Sequence, residues 1–214
     1  MRRALIVIPV LALLLVGGAF AFFMLRGGEA PPPPALPPAD GPVVVEGDVT
    51  EYEVAPGKES FVGYRVREEF ASFGVKDAVG RTGDVEGRAD VTDRIDSADF
   101  EADLTTLASD DGRRDNALRD RAIETARFPT ARFRLTAPVP VGRATAEGDL
   151  TLHGKTRPIR VRLESQMSDD GVEVVGSARI DFADFGIEPP SVAGFVTVED
   201  QGTLEFLLRL VPAR

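Results

Sequence analysis

The feature that most constrains the fold is a two-residue alternation of apolar and polar side chains that recurs along most of the chain. In the stretch TARFRLTA, Ala131, Phe133 and Leu135 fall on one face and arginines fall on the other. Successive side chains of a β-strand point to opposite faces, so this pattern is typical of strands that bury one face only. Five further stretches alternate in the same way, at residues 59–68, 97–107, 158–164, 172–182 and 203–211.

Two more stretches, residues 81–91 and 143–152, bring the predicted number of strands to eight. Strands that are joined by short turns and have one solvent-exposed face favour a closed barrel, because closure leaves no exposed sheet edge. We therefore predict an all-β, eight-stranded, antiparallel up-and-down barrel of lipocalin-like shape. The near-helical spacing of apolar residues in 110–128 predicts one short helix that ends at Pro129, and DFADFGIEPP predicts a second small turn or helix.

The first 28 residues differ from the rest and predict a transmembrane helix that precedes the barrel. Residues 4–25 form an unbroken apolar run, long enough at roughly 1.5 Å per residue to cross the roughly 30 Å hydrocarbon layer. Arg2 and Arg3 favour a cytoplasmic N-terminus, which places the barrel outside the cytoplasm in a single-pass protein of the cell membrane. The alternative is a signal peptide cleaved near Ala21, which gives a secreted or periplasmic protein.

Residues 29–46 are rich in proline and predict a linker between this anchor and a barrel domain at residues 47–214. Proline fixes φ and has no backbone donor, so the stretch EAPPPPALPPADGP is interpreted as a semi-rigid polyproline spacer. A proline motif that binds a partner protein is the less favoured alternative.

Composition excludes several functional classes. The net charge of −10 argues against a nucleic-acid partner, because an acidic surface repels phosphates. The absence of cysteine excludes disulfides, thiol nucleophiles and thiolate metal sites. A single histidine leaves only carboxylates for a metal, and no hydrolase, zinc or calcium-loop motif is present. We therefore predict no catalytic residues, no metal and no cofactor, and we interpret acidic pairs such as Asp110 and Asp111 as solvated loop residues.

The stretch GDLTLHGKTRPIRVRLE contains the only histidine and a sequence, HGKT, that resembles part of a phosphate-binding loop. A phosphate-binding loop requires glycine five residues before the Gly-Lys pair, where this chain has Asp149, and it requires a following helix. Pro158 and the alternating residues after it predict a strand instead. We interpret the stretch as a hairpin, 149–152 and 159–163, with a turn at 153–157. His153 is then a hydrogen-bonding turn residue, with a chemical role as the minor alternative.

The polar stretch RRDNALRD and the inward faces of the strands supply the candidate binding residues. Arg113, Arg114, Asp115, Arg119 and Asp120 are interpreted as ion pairs that tie the helix across one barrel end, with contact to a ligand headgroup as the alternative. Large and small side chains alternate on the inward faces, which weakly favours a cavity for one long apolar ligand over a filled core. The predicted interior positions are Val62, Tyr64, Phe100, Leu104, Phe133, Leu152, Ile159, Leu163, Ile180 and Phe206.

Four ordered motifs resemble the YceI family of exported bacterial lipid-binding barrels. They are the arginine–aspartate element that begins at Ser109, the FPTARF strand, the G-x-L-x-x-H-G-x-x-x-P hairpin, and DFGI. The resemblance implies a lipocalin-like barrel that binds polyisoprenoid-type amphiphiles in its interior and catalyses no reaction on them. Many members carry a histidine–serine pair at the first strand, where this chain has Glu59 and Ser60, so the contacts of those histidines are not carried over.

From these observations we predict an extracytoplasmic binding or carrier protein for a polyisoprenoid or similar long-chain lipid. Its partners are this lipid and, through the N-terminal helix, the membrane; the oligomeric state is left open. Contacts to a headgroup are assigned to Arg113, Arg119 and Arg157. The alternative is a solid-cored surface barrel that serves adhesion or assembly without a ligand.

Overall fold

The chain divides into two compact units, Met1–Ala30 and Pro31–Arg214. A computed structural model describes residues 30–36 and 51–213, apart from 56, 58, 72–73, 169 and 191–195. The N-terminal helix and residues 37–46 of the linker, both predicted from the sequence, lie outside these ranges. In the part of the chain that is described, no helix has both the length and the apolar character that crossing a bilayer requires.

The second unit is built almost entirely of β-strands. Among the described residues of this unit, two α-helices accompany them, α1 (Gly112–Ala117) and α2 (Phe182–Phe185), with a 3₁₀ turn at Leu104–Thr106 and a π-helical turn at Leu118–Ala122. The strands are β1 (Glu51–Val54), β2 (Phe61–Phe70), β3 (Gly74–Thr82), β4 (Val85–Val91), β5 (Arg94–Asp103), β6 (Ala108–Ser109), β7 (Thr130–Leu135), β8 (Val139–Pro140), β9 (Arg143–Leu152), β10 (Lys155–Ser168), β11 (Gly171–Asp181) and β12 (Val196–Pro212).

Eight of these strands close into an antiparallel barrel. The ring runs β1-β4-β5-β7-β9-β10-β11-β12 and is completed by pairing of β12 with β1. The long strand β12 also pairs with β2 through Val196–Leu207, so β2 and β3 extend the wall beside it. The predicted closed, eight-stranded, antiparallel barrel is therefore confirmed, and four of the eight strand pairs in the ring are consecutive in the chain.

Two details of the strand prediction are wrong. The stretch 81–91 is not one strand, because the chain turns between β3 and β4, where Asp84 donates its backbone N–H to Thr82 Oγ1 at 3.0 Å. A side-chain acceptor of this kind stabilises a turn, and Gly83 within the turn is a signal for it in the sequence. The short strands β1, β6 and β8 were not predicted, because two to four residues are too few to show a periodicity.

The predicted helix exists but is shorter than 110–128. Asp111 caps α1 by accepting from the Arg113 N–H at 2.8 Å, and the helical segment ends with the π-helical turn, before Pro129. Glu124 has φ +47°, a left-handed conformation that ends the helical path. The second predicted helix is α2, which Asp181 caps at its start and Gly186 ends with φ +67°.

The buried side chains form two clusters. The first lies inside the barrel wall and includes Val91, Val172 and Leu210. The second lies at the end where β9 turns into β10, and there Leu104, Ile123 and Phe185 pack on the ends of the strands. The helical segments thus cover one end of the barrel, and the first cluster surrounds the interior.

Candidate functional site

The barrel interior contains an apolar cavity of about 120 Å³. At about 30 Å³ for each water, this volume holds about four water-sized groups. The inward side chains of nine strands surround it, whereas the charged side chains of the same strands point to the outer wall because the faces alternate. Its apolar lining consists of Val62, Val85, Ala89, Val91, Ile95, Ala98, Phe100, Ala102, Ala131, Phe133, Leu135, Val139, Ala146, Leu150, Ile159, Val161, Leu163, Val172, Val174, Ala178, Leu204, Phe206, Leu208 and Leu210.

Four large inward aromatic rings, three of which line the cavity, each lie over a glycine of a neighbouring strand, which helps to keep the cavity open. A Cβ at any of these glycines would overlap the ring, so the absence of a side chain lets the ring lie against the wall. Aromatic rings over glycines also stabilise curved sheets. The pairs are Tyr64 with Gly80, Phe100 with Gly87, Phe133 with Gly148 and Phe206 with Gly176. The rings therefore do not fill the barrel axis.

Gly176→Ala tests this arrangement with one methyl group. Phe206 lies directly opposite Gly176 in the strand register, and its ring is the closest group to a Cβ at that position. We expect the ring to turn into the cavity and weaken binding of an apolar chain about fourfold for each methylene it displaces. Titration with farnesol, an isoprenoid alcohol, measures the change. Gly112→Ala is the control, because a Cβ at Gly112 contacts nothing within 4 Å, and an unchanged affinity in the Gly176 variant would contradict the arrangement.

The predicted interior residues fall into two groups. Six of them line the cavity: Val62, Phe100, Phe133, Ile159, Leu163 and Phe206. The other four, Tyr64, Leu104, Leu152 and Ile180, belong to the cluster at the covered end. Periodicity assigns a residue to a face but not to a height along the barrel axis, which is why the prediction did not separate the two groups.

A buried ion-pair network ties α1 to the barrel. Arg114 donates from Nε and Nη2 to the two carboxylate oxygens of Glu68 on β2, at 2.9 and 3.0 Å, and from Nη1 to Asp110 at 2.5 Å. Asp115 accepts from the backbone N–H and the hydroxyl of Ser109, at 2.9 and 2.6 Å. The interpretation of RRDNALRD as ion pairs at one barrel end is thus confirmed for Arg114, whereas Asp115 is held by hydrogen bonds from Ser109 instead.

Tyr64 lies beside this network. Burial raises the pKa of Tyr64 to about 12, so the phenol is neutral at physiological pH. Its buried hydroxyl makes no well-formed hydrogen bond with the residues that the structure describes. It therefore remains a neutral donor at the covered end of the barrel.

The three arginines that were predicted to contact a headgroup lie away from the cavity. The Arg113 side chain is 67% exposed on α1. Arg119 donates to Asn116 Oδ1 at 2.8 Å, and Arg157 is exposed and donates to the Thr156 carbonyl at 3.0 Å. Their contact with a ligand stays a prediction, and the buried arginine of this region is Arg114.

His153 has the structural role that the sequence predicted. It forms a two-residue turn with Gly154, with φ of +51° and +70°, instead of the predicted turn at 153–157. Positive φ at both positions matches the hairpin twist, which is why the strands continue so close to the turn. The ring donates from Nδ1 to the Phe185 carbonyl at 3.1 Å, and Nε2 lies 3.0 Å from Glu124 Oε2. His153 thereby joins the turn, α2 and the segment after the π-helical turn.

Glu124→Gln tests the contribution of this contact to stability in acid. The hydrogen bonds from His153 and Arg127 hold the pKa of Glu124 below its ordinary value of 4.5. A carboxyl group whose pKa is lowered by folding stabilises the fold at pH values above its ordinary pKa. This stabilisation is lost as the pH falls through the lowered pKa. We expect melting temperature to fall less steeply between pH 5 and pH 3 (roughly the carboxyl titration range) in Glu124→Gln than in the parent. Identical slopes would contradict the role of this contact.

The chain is similar to known proteins in both sequence and fold. The family model of the YceI-like domain matches residues 52–210. The chain belongs to this family. Among solved structures, a polyisoprenoid-binding domain from Saccharophagus degradans, implicated in plant cell wall breakdown, aligns with a TM-score of 0.59 at 19% identity, over 77% of this chain and 99% of the other. BcnA of Burkholderia cenocepacia aligns with a TM-score of 0.58 at 16% identity, over 70% and 95%. At these identities the likeness shows the fold, and a search of curated proteins finds no significant match.

Proposed function

We propose that this YceI-like barrel binds the apolar chain of a polyisoprenoid or similar amphiphilic lipid in its interior and acts as an extracytoplasmic carrier. The observation that supports the proposal is the cavity, whose lining side chains are apolar. An apolar cavity stays dry and accepts apolar guests. The name of the Saccharophagus degradans domain, a polyisoprenoid-binding protein, supports the same class of ligand.

The driving force is transfer of the lipid chain from water to the cavity. About four methylene-sized groups fit the cavity, and at about 0.8 kcal/mol each they give roughly 3 kcal/mol before the cost of ordering the chain. Losses of translational and conformational freedom reduce this figure further, which corresponds to weak, reversible binding. Reversible binding is what a carrier requires, because it must also release its ligand.

The headgroup is proposed to lie at the helical end, near the neutral Tyr64 hydroxyl and the cations Arg113, Arg119 and Arg157. Donors and cations there fit a hydroxyl, phosphate or carboxylate headgroup. The proposed N-terminal membrane helix would hold the barrel beside a lipid source. The proposal includes binding only, with no catalytic step.

Native mass spectrometry of a fragment that spans residues 31–214 tests the proposal. We expect adducts of discrete mass that organic extraction removes and that tandem analysis identifies as lipids. Farnesol should restore an adduct after extraction. A protein that stays empty after purification and after addition of farnesol would contradict lipid binding and would favour the adhesion or assembly module.

A further inference from the structure

The outer wall of the barrel has a buried carboxylate that the lipid site does not explain. On β12, Leu204 and Phe206 point into the cavity, so Glu205 between them points outward. An outward carboxylate on a barrel wall is ordinarily solvated, yet Glu205 is only 2% exposed. The outward Val79 on β3 is also buried, at 7% exposure. This part of the outer wall is therefore covered.

Two arginines from neighbouring strands lie over Glu205. Arg65 of β2 donates from Nε to Glu205 Oε2 at 3.2 Å, and Arg81 of β3 donates from Nη2 to Oε1 at 3.0 Å. Arg65 also pairs with Asp77 at 3.5 Å, and the Arg81 guanidinium lies 4.1 Å from the centre of the Phe61 ring. We call Arg65, Arg81 and Glu205 the clamp.

A glycine makes the clamp possible. Gly63 lies between Arg81 and Glu205 in the strand register, paired with Arg81 on one side and Glu205 on the other. A Cβ at Gly63 would lie 2.9 Å from Arg81 Cγ, so only a glycine lets the Arg81 side chain cross β2 to reach Glu205. The arginines are thus held in place by packing as well as by charge.

The guanidinium groups of the clamp also hold the first two residues of the proline-rich segment 31–36. Arg65 Nη2 donates to the Pro31 carbonyl at 2.6 Å, and Arg81 Nη2 donates to the Pro32 carbonyl at 3.3 Å. A run of prolines offers carbonyl acceptors and no donors, whereas arginine offers donors and no acceptors. Consecutive prolines are also preordered as an extended polyproline helix, so little conformational entropy is lost on docking.

We propose that the clamp is a docking site for an extended polyproline segment and that its occupant is the chain's own residues 31–36. The linker then acts as a strap on the barrel wall as well as a spacer. Residues 37–46 follow the docked segment in the chain, so docking takes all of residues 31–46 out of the tether, about 50 Å of extended chain at about 3.1 Å per residue. Release from the clamp would lengthen the tether without any change in the lipid site.

The distance between two spin labels tests whether residues 31–36 are docked on the clamp. It is measured in the full-length chain in lipid nanodiscs. The chain has no cysteine, so A35C in the segment and R67C on the outer face of β2 are the only labelling sites. We expect one narrow distance distribution. It should become broad in R65Q/R81Q/E205Q, which removes the clamp without leaving a buried charge unpaired, and in P31G/P32G/P33G/P34G, which removes the preordered segment. R160Q, an exposed arginine that pairs with Glu147, is the control and should stay narrow.

Circular dichroism establishes that each variant is folded. If R65Q/R81Q/E205Q does not fold, P31G/P32G/P33G/P34G alone tests the docking of the segment, because its substitutions lie outside the barrel strands. A broad distribution in the parent would show that the segment is not docked. A distribution that stays narrow in the folded variants would show that the clamp does not hold it.

Discussion

An A146L/A178L double variant should fold as the parent does and lose most of its affinity for an isoprenoid chain. Ala146 on β9 and Ala178 on β11 are buried and line the cavity. Each leucine adds three carbons, so the two together fill a space that holds about four water-sized groups. Displacing about four methylene-sized groups removes about 3 kcal/mol of transfer free energy, which is roughly two orders of magnitude in the dissociation constant. Titration with farnesol measures this loss.

The matched control is T145L/R179L. Thr145 and Arg179 neighbour the two alanines in the chain and are exposed on the outer wall, so the same side chains are added to the same strands outside the cavity. This control should bind farnesol as the parent does. Since overpacking costs about 1–3 kcal/mol per site, thermal unfolding must show that A146L/A178L is folded at the assay temperature. Parent-like affinity in the folded double variant would place the ligand elsewhere.

Arg114→Met should strongly destabilise the barrel. It leaves Glu68 buried without its bidentate partner, and breaking a buried ion pair from one side costs about 3–5 kcal/mol. For a domain of this size, the loss lowers the melting temperature by roughly 10 °C or more. Thermal unfolding followed by circular dichroism measures the effect.

Two companion variants separate charge from packing. E68M/R114M removes both charges and should recover most of the loss, because apolar side chains of similar volume replace a buried pair at little cost. Arg113→Met removes the adjacent arginine, whose side chain is 67% exposed, and should change stability by less than about 0.5 kcal/mol. Equal destabilisation by the Arg113 and Arg114 variants would contradict the role of the Glu68 pair.

The alternation of side chains was sufficient to predict the barrel and the direction in which its residues face. Phe133 and Phe206 line the cavity because a strand with one buried face must turn its apolar side chains inward. The hairpin around His153 was predictable for the same reason, since Pro158 excludes a helix there. The four sequence motifs predicted the family, and the match of the YceI-like family model to residues 52–210 confirms this prediction.

Other features depend on contacts between strands that are distant in the chain. The sequence did not indicate that Gly176 would lie under Phe206, because this pairing depends on the register of β11 and β12. It identified Arg113 as a candidate ligand contact although the buried arginine is Arg114, and a helix of six residues is too short for periodicity to distinguish them. Glu205 occupies a position that the alternation of side chains predicts to be exposed. Its burial is explained by Arg65 of β2 and Arg81 of β3, which are distant from it in the chain.

Photo-crosslinking tests the central claim, that a lipid chain occupies the barrel interior, most directly. The full-length chain is loaded with a farnesol analogue that carries a diazirine near its apolar end, irradiated, digested and sequenced by mass spectrometry. We expect cross-links to inward residues of β7 and β12, above all Phe133 and Phe206, which excess farnesol and the A146L/A178L variant abolish. Saturable cross-links confined to outward residues of the same strands would contradict the claim.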